Sequence, residues 1–177
     1  MKPVADMSVG ELAAYISSHL RSLGIDTVLS GGSCVSIYSA GVYVSKDLDF
    51  IDIRFAAVRA IREAMLAIGF TPEHGTFKHP DVDVLVDFPR GPLSVGKEPV
   101  GTIHEIEFST GILRLLSPTD CIKDRLGAYY HWNDLQSLEQ AVMVAKSNNV
   151  DLNEVRRWSK QEGLSDAFEK IAPRLRG

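Results

Sequence analysis

The sequence predicts a mixed α/β domain that runs into an all-helical C-terminal region. Three observations carry this expectation. Up to about residue 116, stretches with helical apolar spacing alternate with short β-rich runs; from Ser117 onward every apolar pattern is helical. The 177 residues are enough for one domain with a real core, divided here into an α/β part, 1–116, and a helical part, 117–177. A composition of 45% hydrophobic and 24% charged residues is that of a folded globular chain, which excludes disordered and collagen-like architectures, and no internal repeat occurs.

Ser8 and Glu11 have capping-box spacing and open a helix whose apolar face is Leu12, Ile16, Leu20 and Leu23, stopped by Gly24. Thr27 to Leu29 reads as a short buried strand that breaks at Gly31-Gly32. A helix follows from Ser33 to about Ala40, and Tyr43 to Ile53 reads as a second strand. Phe55 to Ile68 carries Val58, Ile61, Met65 and Ile68 at helical spacing, with Gly69 behind it. Strands are expected at Thr76 to Lys78 and Val82 to Phe88, then a Pro- and Gly-rich loop from Pro89 to Pro99. Thr102 to Phe108 and Ile112 to Leu116 read as a hairpin. Ser117-Pro118 caps a helix reaching about Tyr130. Others are expected from Asp134 to Lys146, from Asp151 and from Ser165.

Charge and composition narrow the function classes. With 19 Lys and Arg against 23 Asp and Glu, the formal net charge is −4, a poor match for coating long nucleic acid. No apolar run reaches the roughly 20 residues that span a bilayer, and MKPVADMSVGEL lacks the apolar stretch of a signal peptide. Cys34 and Cys121 have neither CxxC nor His/Cys spacing, so they are expected as buried hydrophobes rather than a disulfide or zinc site. These features predict a cytoplasmic protein without a membrane partner.

The chemistry concentrates in GGSCVSIYSAGVYVSKDLDF, Gly31 to Phe50. A strand that ends in Gly31-Gly32-Ser33 and turns into a helix lets backbone N–H groups approach an anion, and the helix N-terminus favours negative charge there. Asp47 and Asp49 lie two apart on a strand, so both carboxylates project from one face. Two like charges so placed call for a cation between them, and Mg²⁺ accepts one or two carboxylates together with substrate phosphates. A phosphate cradle opposite a carboxylate metal site is equipment for moving a nucleotidyl or phosphoryl group.

This stretch resembles the signature of the nucleotidyltransferase superfamily, in which Gly-Gly or Gly-Ser precedes an Asp-x-Asp strand. Here Gly32-Ser33, the thirteen residues Cys34 to Lys46, and Asp47-Leu48-Asp49-Phe50 carry the likeness. The resemblance implies a nucleotidyltransferase fold with a short mixed sheet and a C-terminal helical bundle. It also implies two Mg²⁺ ions, a nucleoside triphosphate as substrate, and transfer of the monophosphate to a hydroxyl acceptor. The acceptor could be an RNA end, a protein or a small molecule. A third carboxylate on a neighbouring strand is expected, and HPDVDVLVDF offers Asp81, Asp83 and Asp87; Asp83 is preferred, with Asp87 as the alternative. Asp47, Asp49 and Asp83 are thus the expected metal and catalytic residues, and Gly31, Gly32 and Ser33 the phosphate cradle. Pro118 to Ala145 is similar to the helical part of small bacterial nucleotidyltransferases that include abortive-infection (type IV) toxins. By position that likeness implies Lys123 on the triphosphate, Asp134 as the acidic residue of the next helix, and an antitoxin or operon partner. The alternative is a catalytically inactive nucleotide-binding or protein-interaction member of the same fold.

Overall fold

Amphipathic spacing and local capping fix the first elements of the computed structural model, which describes residues 2–176. After a single 3₁₀ turn, α1 (Val9–Ser22) starts at a complete capping box: the Ser8 hydroxyl accepts the Glu11 N–H, and the Glu11 carboxylate accepts the Ser8 N–H. Leu12, Ile16 and Leu20 from its apolar face are fully buried. The chain then forms β1 (Thr27–Ser30), α2 (Gly31–Tyr38), β2 (Asp47–Asp52), α3 (Val58–Ala67), β3 (Thr71–Glu73), β4 (Thr76–Lys78) and β5 (Leu85–Asp87). A two-residue hairpin, β6 (Ser94–Val95) with β7 (Glu98–Pro99), precedes β8 (Ile103–Phe108) and β9 (Gly111–Leu116). Four helices close the chain: α4 (Pro118–Trp132), α5 (Leu135–Ser147), α6 (Leu152–Gln161) and α7 (Ser165–Leu175).

Seven strands make one mixed sheet in the order β3-β4-β5-β2-β1-β9-β8. β1 is antiparallel to β2 and parallel to β9, and β2 is parallel to β5. The end strands are short or charged. β3 carries Pro72 at its centre, and β8 presents His104, Glu105 and Glu107. Central strands supply the core: Val28, Leu29, Leu48, Phe50, Val86, Leu113 and Leu115 are fully buried. Among the described residues no helix is long and apolar enough to cross a membrane.

Several boundaries differ from the sequence expectation for local reasons. The second strand begins at Asp47 rather than Tyr43 because side chains of α2 and its cap hold the intervening loop. The Ser39 hydroxyl accepts the Tyr43 N–H and the Ser36 hydroxyl accepts the Ser45 N–H, so these donors are spent outside the ladder. α3 begins at Val58 rather than Phe55. Both Asp52 oxygens accept loop N–H groups, from Arg54 and Ala56, and Phe55 between them is left-handed at φ 55°. The strand expected over Val82 to Phe88 contracts to Leu85–Asp87, which is where pairing to β2 and β4 is available. The loop Pro89 to Pro99 contains the β6–β7 hairpin, which docks on the helices because the Trp158 indole N–H donates to the Val95 carbonyl at 3.1 Å. β3 was not expected; its central proline makes it legible only as an edge.

Cys34 and Cys121 are free and buried. The Cys34 thiol donates to the Leu29 carbonyl at 3.1 Å.

Candidate active site

Register, rather than motif spacing, assembles the carboxylates. In the parallel β2–β5 pair Asp49 lies directly opposite Asp87, and Asp47 lies opposite Leu85. Residues paired across a ladder share a face, as do residues two apart on one strand. Asp47, Asp49 and Asp87 therefore project together. Asp83 precedes β5, with its side chain 89% exposed and its carboxylate 3.9 Å from the Lys46 ammonium.

Asp49 and Asp87 are half-buried, whereas Asp47 is exposed. Burial, then the negative charges of Asp87 and Asp47, push the Asp49 pKa from the usual 3.8 up to about 6, and Arg125 partly opposes the shift. Like charges held together in a half-buried site are the electrostatic condition that a divalent cation relieves. Among the described residues, no three His, Cys, Asp or Glu side chains converge into a ready-made cation cage. An open set of two or three oxygen donors suits Mg²⁺, which keeps waters and takes phosphate oxygens as its remaining ligands. The donor set fits that ion.

The turn between β1 and α2 closes over Asp49. Gly31 sits at φ 68°, and a Cβ at this position would stand 2.5 Å from an Asp49 carboxylate oxygen. Glycine is required twice here, by the left-handed backbone and by the approach of the carboxylate. The Ser30 hydroxyl donates to the Asp49 carbonyl at 3.2 Å, fastening the turn to β2. The free N–H groups at the start of α2 thus lie beside the carboxylates, an anion-binding arrangement next to a cation-binding one. Gly32 lies near the Tyr43 and Ser45 hydroxyls. Ser33 is fully buried, and its hydroxyl donates to the Ser30 carbonyl at 3.3 Å, so its side chain is spent inside the turn. Replacing Gly31 with alanine should cost about 1–3 kcal/mol from the left-handed backbone and the displaced carboxylate. Thermal unfolding measures the loss, and calorimetry should show that Mg²⁺-dependent nucleotide binding falls with it.

The helical half contributes differently from its sequence pattern. The Lys123 ammonium is 2.6 Å from Glu154, 3.2 Å from Asp120 and 4.0 Å from Glu98, with its side chain only 7% exposed. Arg157 reaches the same group through Glu98 and Glu154. Arginine hydrogen bonding, foremost, holds the Glu154 carboxyl down at about 2. This cluster ties α4 to α6 and to β7. Lys123→Met should therefore destabilise the fold by about 3 kcal/mol, because three carboxylates lose a buried partner. Urea unfolding checks the loss, and nucleotide affinity of the folded variant should change less than about threefold, a factor worth under about 1 kcal/mol.

Two residues further along α4, Arg125 points about 200° away from Lys123 around the helix. Its guanidinium is held by Asp124, with Nη2 2.6 Å and Nε 3.1 Å from one carboxylate oxygen, and by Gln140 of α5 at 3.4 Å. Arg125 favours the charged form of Asp49, and Asp124 opposes it. Sequence reasoning missed Arg125. The available signal was its half-turn offset from Lys123, which means that only one of the two can face the sheet. Asp134 caps α5: its carboxylate accepts the Gln136 and Ser137 N–H groups and the Ser137 hydroxyl, which keeps its pKa low. Tyr130 stacks on Trp158 at 6.1 Å between centroids, inside the helical packing, whereas Trp132 is exposed.

No family model matches the sequence, and no curated protein matches it. The fold does have solved counterparts. A crystal structure of an antigenic nucleotidyltransferase-like protein from Paracoccidioides brasiliensis matches with a TM-score of 0.68 at 16% identity, over 94% of this chain and 91% of that one. The solution structure of the antibiotic-resistance factor ANT(2'')-Ia matches with a TM-score of 0.53 at 14% identity, over 94% of each chain. The mixed sheet and helices are thus those of a nucleotidyltransferase-like fold.

Proposed function

We propose that this chain transfers a nucleoside monophosphate from a nucleoside triphosphate to a hydroxyl acceptor, releasing pyrophosphate. The observation that carries this reading is the Asp49–Asp87 pairing, with Asp47 on the same face, beneath the left-handed Gly31 turn at the start of α2. Fold likeness supports the class without choosing the substrate.

In this reading Asp47, Asp49 and Asp87 hold Mg²⁺; the Asp83 of the sequence expectation gives way to Asp87. The ion, when bound, neutralises the carboxylates and the phosphate oxygens, which is most of what phosphoryl-type transfer requires. Half-buried Gly32, at the N-terminal turn of α2, presents its N–H to the β- and γ-phosphates, with Gly31 and Ser33 shaping that turn. Asp87, at the end of β5, accepts the proton of the attacking hydroxyl. Arg125, rather than Lys123, brings positive charge toward the leaving pyrophosphate, with Asp124 and Gln140 fixing its orientation.

Calorimetric titration of the four nucleoside triphosphates, with Mg²⁺ and then with EDTA, tests the proposal. Mg²⁺-dependent binding of at least one nucleotide, lost in Asp47→Ala/Asp49→Ala, is the expected result. A folded protein that binds none of them overturns it.

A further inference from the structure

α2 and α4 run in opposite directions beside the proposed site. Tyr38, at the end of α2, donates its hydroxyl to the Leu116 carbonyl at 2.6 Å, just before α4 begins. One turn earlier in α2, Cys34 meets Cys121 of α4. Moving toward the start of α2 therefore moves toward the end of α4. At the Gly31 turn this progression arrives at Asp124 and Arg125, whose charges act on Asp49. There α2 stops. α4 runs on to Trp132, seven residues and about 10 Å past Arg125.

Cys121, Arg125, Ala128 and Trp132 are spaced four, three and four apart, so they follow one face of α4. Exposure rises along this face as the cover of α2 gives out. Cys121 is fully buried, Arg125 and Ala128 are half-buried, and Trp132 is 82% exposed, more than any other large hydrophobic side chain among the described residues. On this face only the methyl group of Ala128 stands between the guanidinium and the indole. The two neighbouring aromatic residues are engaged elsewhere. Tyr130 stacks on Trp158 and meets the Ser159 hydroxyl at 3.2 Å, and Tyr129 faces the turn between α6 and α7. Asn133, left-handed at φ 52°, ends α4, and Leu135 beyond it is exposed as well.

We infer that Trp132 is the platform on which the base of the bound nucleoside triphosphate stacks. The inference rests on the transfer reading above. A triphosphate seated at the start of α2 points its nucleoside away from that helix, along the stretch of α4 that α2 no longer covers. An extended nucleotide spans the distance from Arg125 to Trp132, with its ribose over Ala128 and its base on the indole. Stacking tolerates any base, since every base has a π-face. All four nucleotides should therefore depend on Trp132.

Calorimetry in Mg²⁺ tests this by comparing each nucleoside triphosphate with inorganic tripolyphosphate, which has the phosphates and no base. Trp132→Ala should weaken every nucleotide that binds at least tenfold, the scale of one stacked base, and change tripolyphosphate binding less than twofold. Trp132→Phe should recover most of the loss, because it restores a ring. Fluorescence gives a second reading. Iodide reaches exposed Trp132 and not buried Trp158, so a nucleotide should protect the emission of the parent protein and tripolyphosphate should not. The position is exposed, so both variants should fold, and thermal unfolding verifies this. Equal nucleotide affinity in the parent and in Trp132→Ala, or tripolyphosphate weakened as much as the nucleotides, overturns the platform and leaves the transfer reading standing. A folded parent that binds no nucleotide overturns the transfer reading and the platform with it.

Discussion

Trp158→Ala should destabilise the protein by about 3–5 kcal/mol, the range for emptying a fully packed aromatic site. Trp158 is 1% exposed and heads the largest fully buried side chains. It does more than fill space. The indole stacks on Tyr130 of α4, and its N–H ties α6 to the β6–β7 hairpin through the Val95 carbonyl. Truncation removes the packing and leaves a carbonyl without its donor, so both costs fall on the same variant. Trp158→Phe keeps most of the volume and should cost less than half as much. Chemical denaturation of the three proteins measures this. Equal losses in the two variants would mean that the indole hydrogen bond, rather than the ring, carries the effect.

Asp49→Asn should lower nucleotide transfer by about 10³-fold, the scale for removing one preorganised electrostatic group from a site of this kind. The same substitution should stabilise the metal-free protein at neutral pH. The sign follows from the titration. The Asp49 carboxyl gains its proton near pH 6 when folded, against 3.8 ordinarily. Between those values the folded state binds more protons than the unfolded one, so lowering the pH favours folding, and this contribution is lost as pH rises through about 6. Asparagine has no such titration. Stability curves of the two proteins without divalent cation should therefore diverge as pH rises from about 4 to about 6, with the variant the more stable. Mg²⁺ should raise the melting temperature of the parent protein above pH 6 and leave the variant nearly unmoved. Parallel curves would show that burial and the neighbouring carboxylates do not raise the Asp49 pKa in the folded protein.

How far the molecule could be read in advance depends on the kind of interaction that decides each feature. The helices were legible because capping and apolar period are local: Ser8 with Glu11, Ser117 with Pro118 and Asp151 with Glu154 sit where the helices begin. The turn at Gly31 and the pair Asp47 and Asp49 were legible for the same reason. The third carboxylate was not. Asp81, Asp83 and Asp87 share one parity, so alternation cannot separate them; the register of β5 against β2 places Asp87 beside Asp49. That register is a long-range property, set where Leu85 donates to the Lys46 carbonyl at 2.9 Å. Lys123 and Arg125 pose the same problem in a helix. Both lie early in α4, and only the rotation of α4 against α6 and the sheet decides which one reaches which acid.

The two end strands of the sheet have a consequence for how copies of this chain meet. A sheet of seven strands normally exposes two rows of backbone donors and acceptors to any passing strand. Here one row is interrupted by Pro72, which has no N–H to give, and the other is flanked by Glu105 and Glu107, which would face their own duplicates in an edge-to-edge pair. Growth of the sheet from molecule to molecule is thereby blocked at both ends. Neighbouring copies are thus kept from extending the seven-stranded sheet even where molecules crowd together.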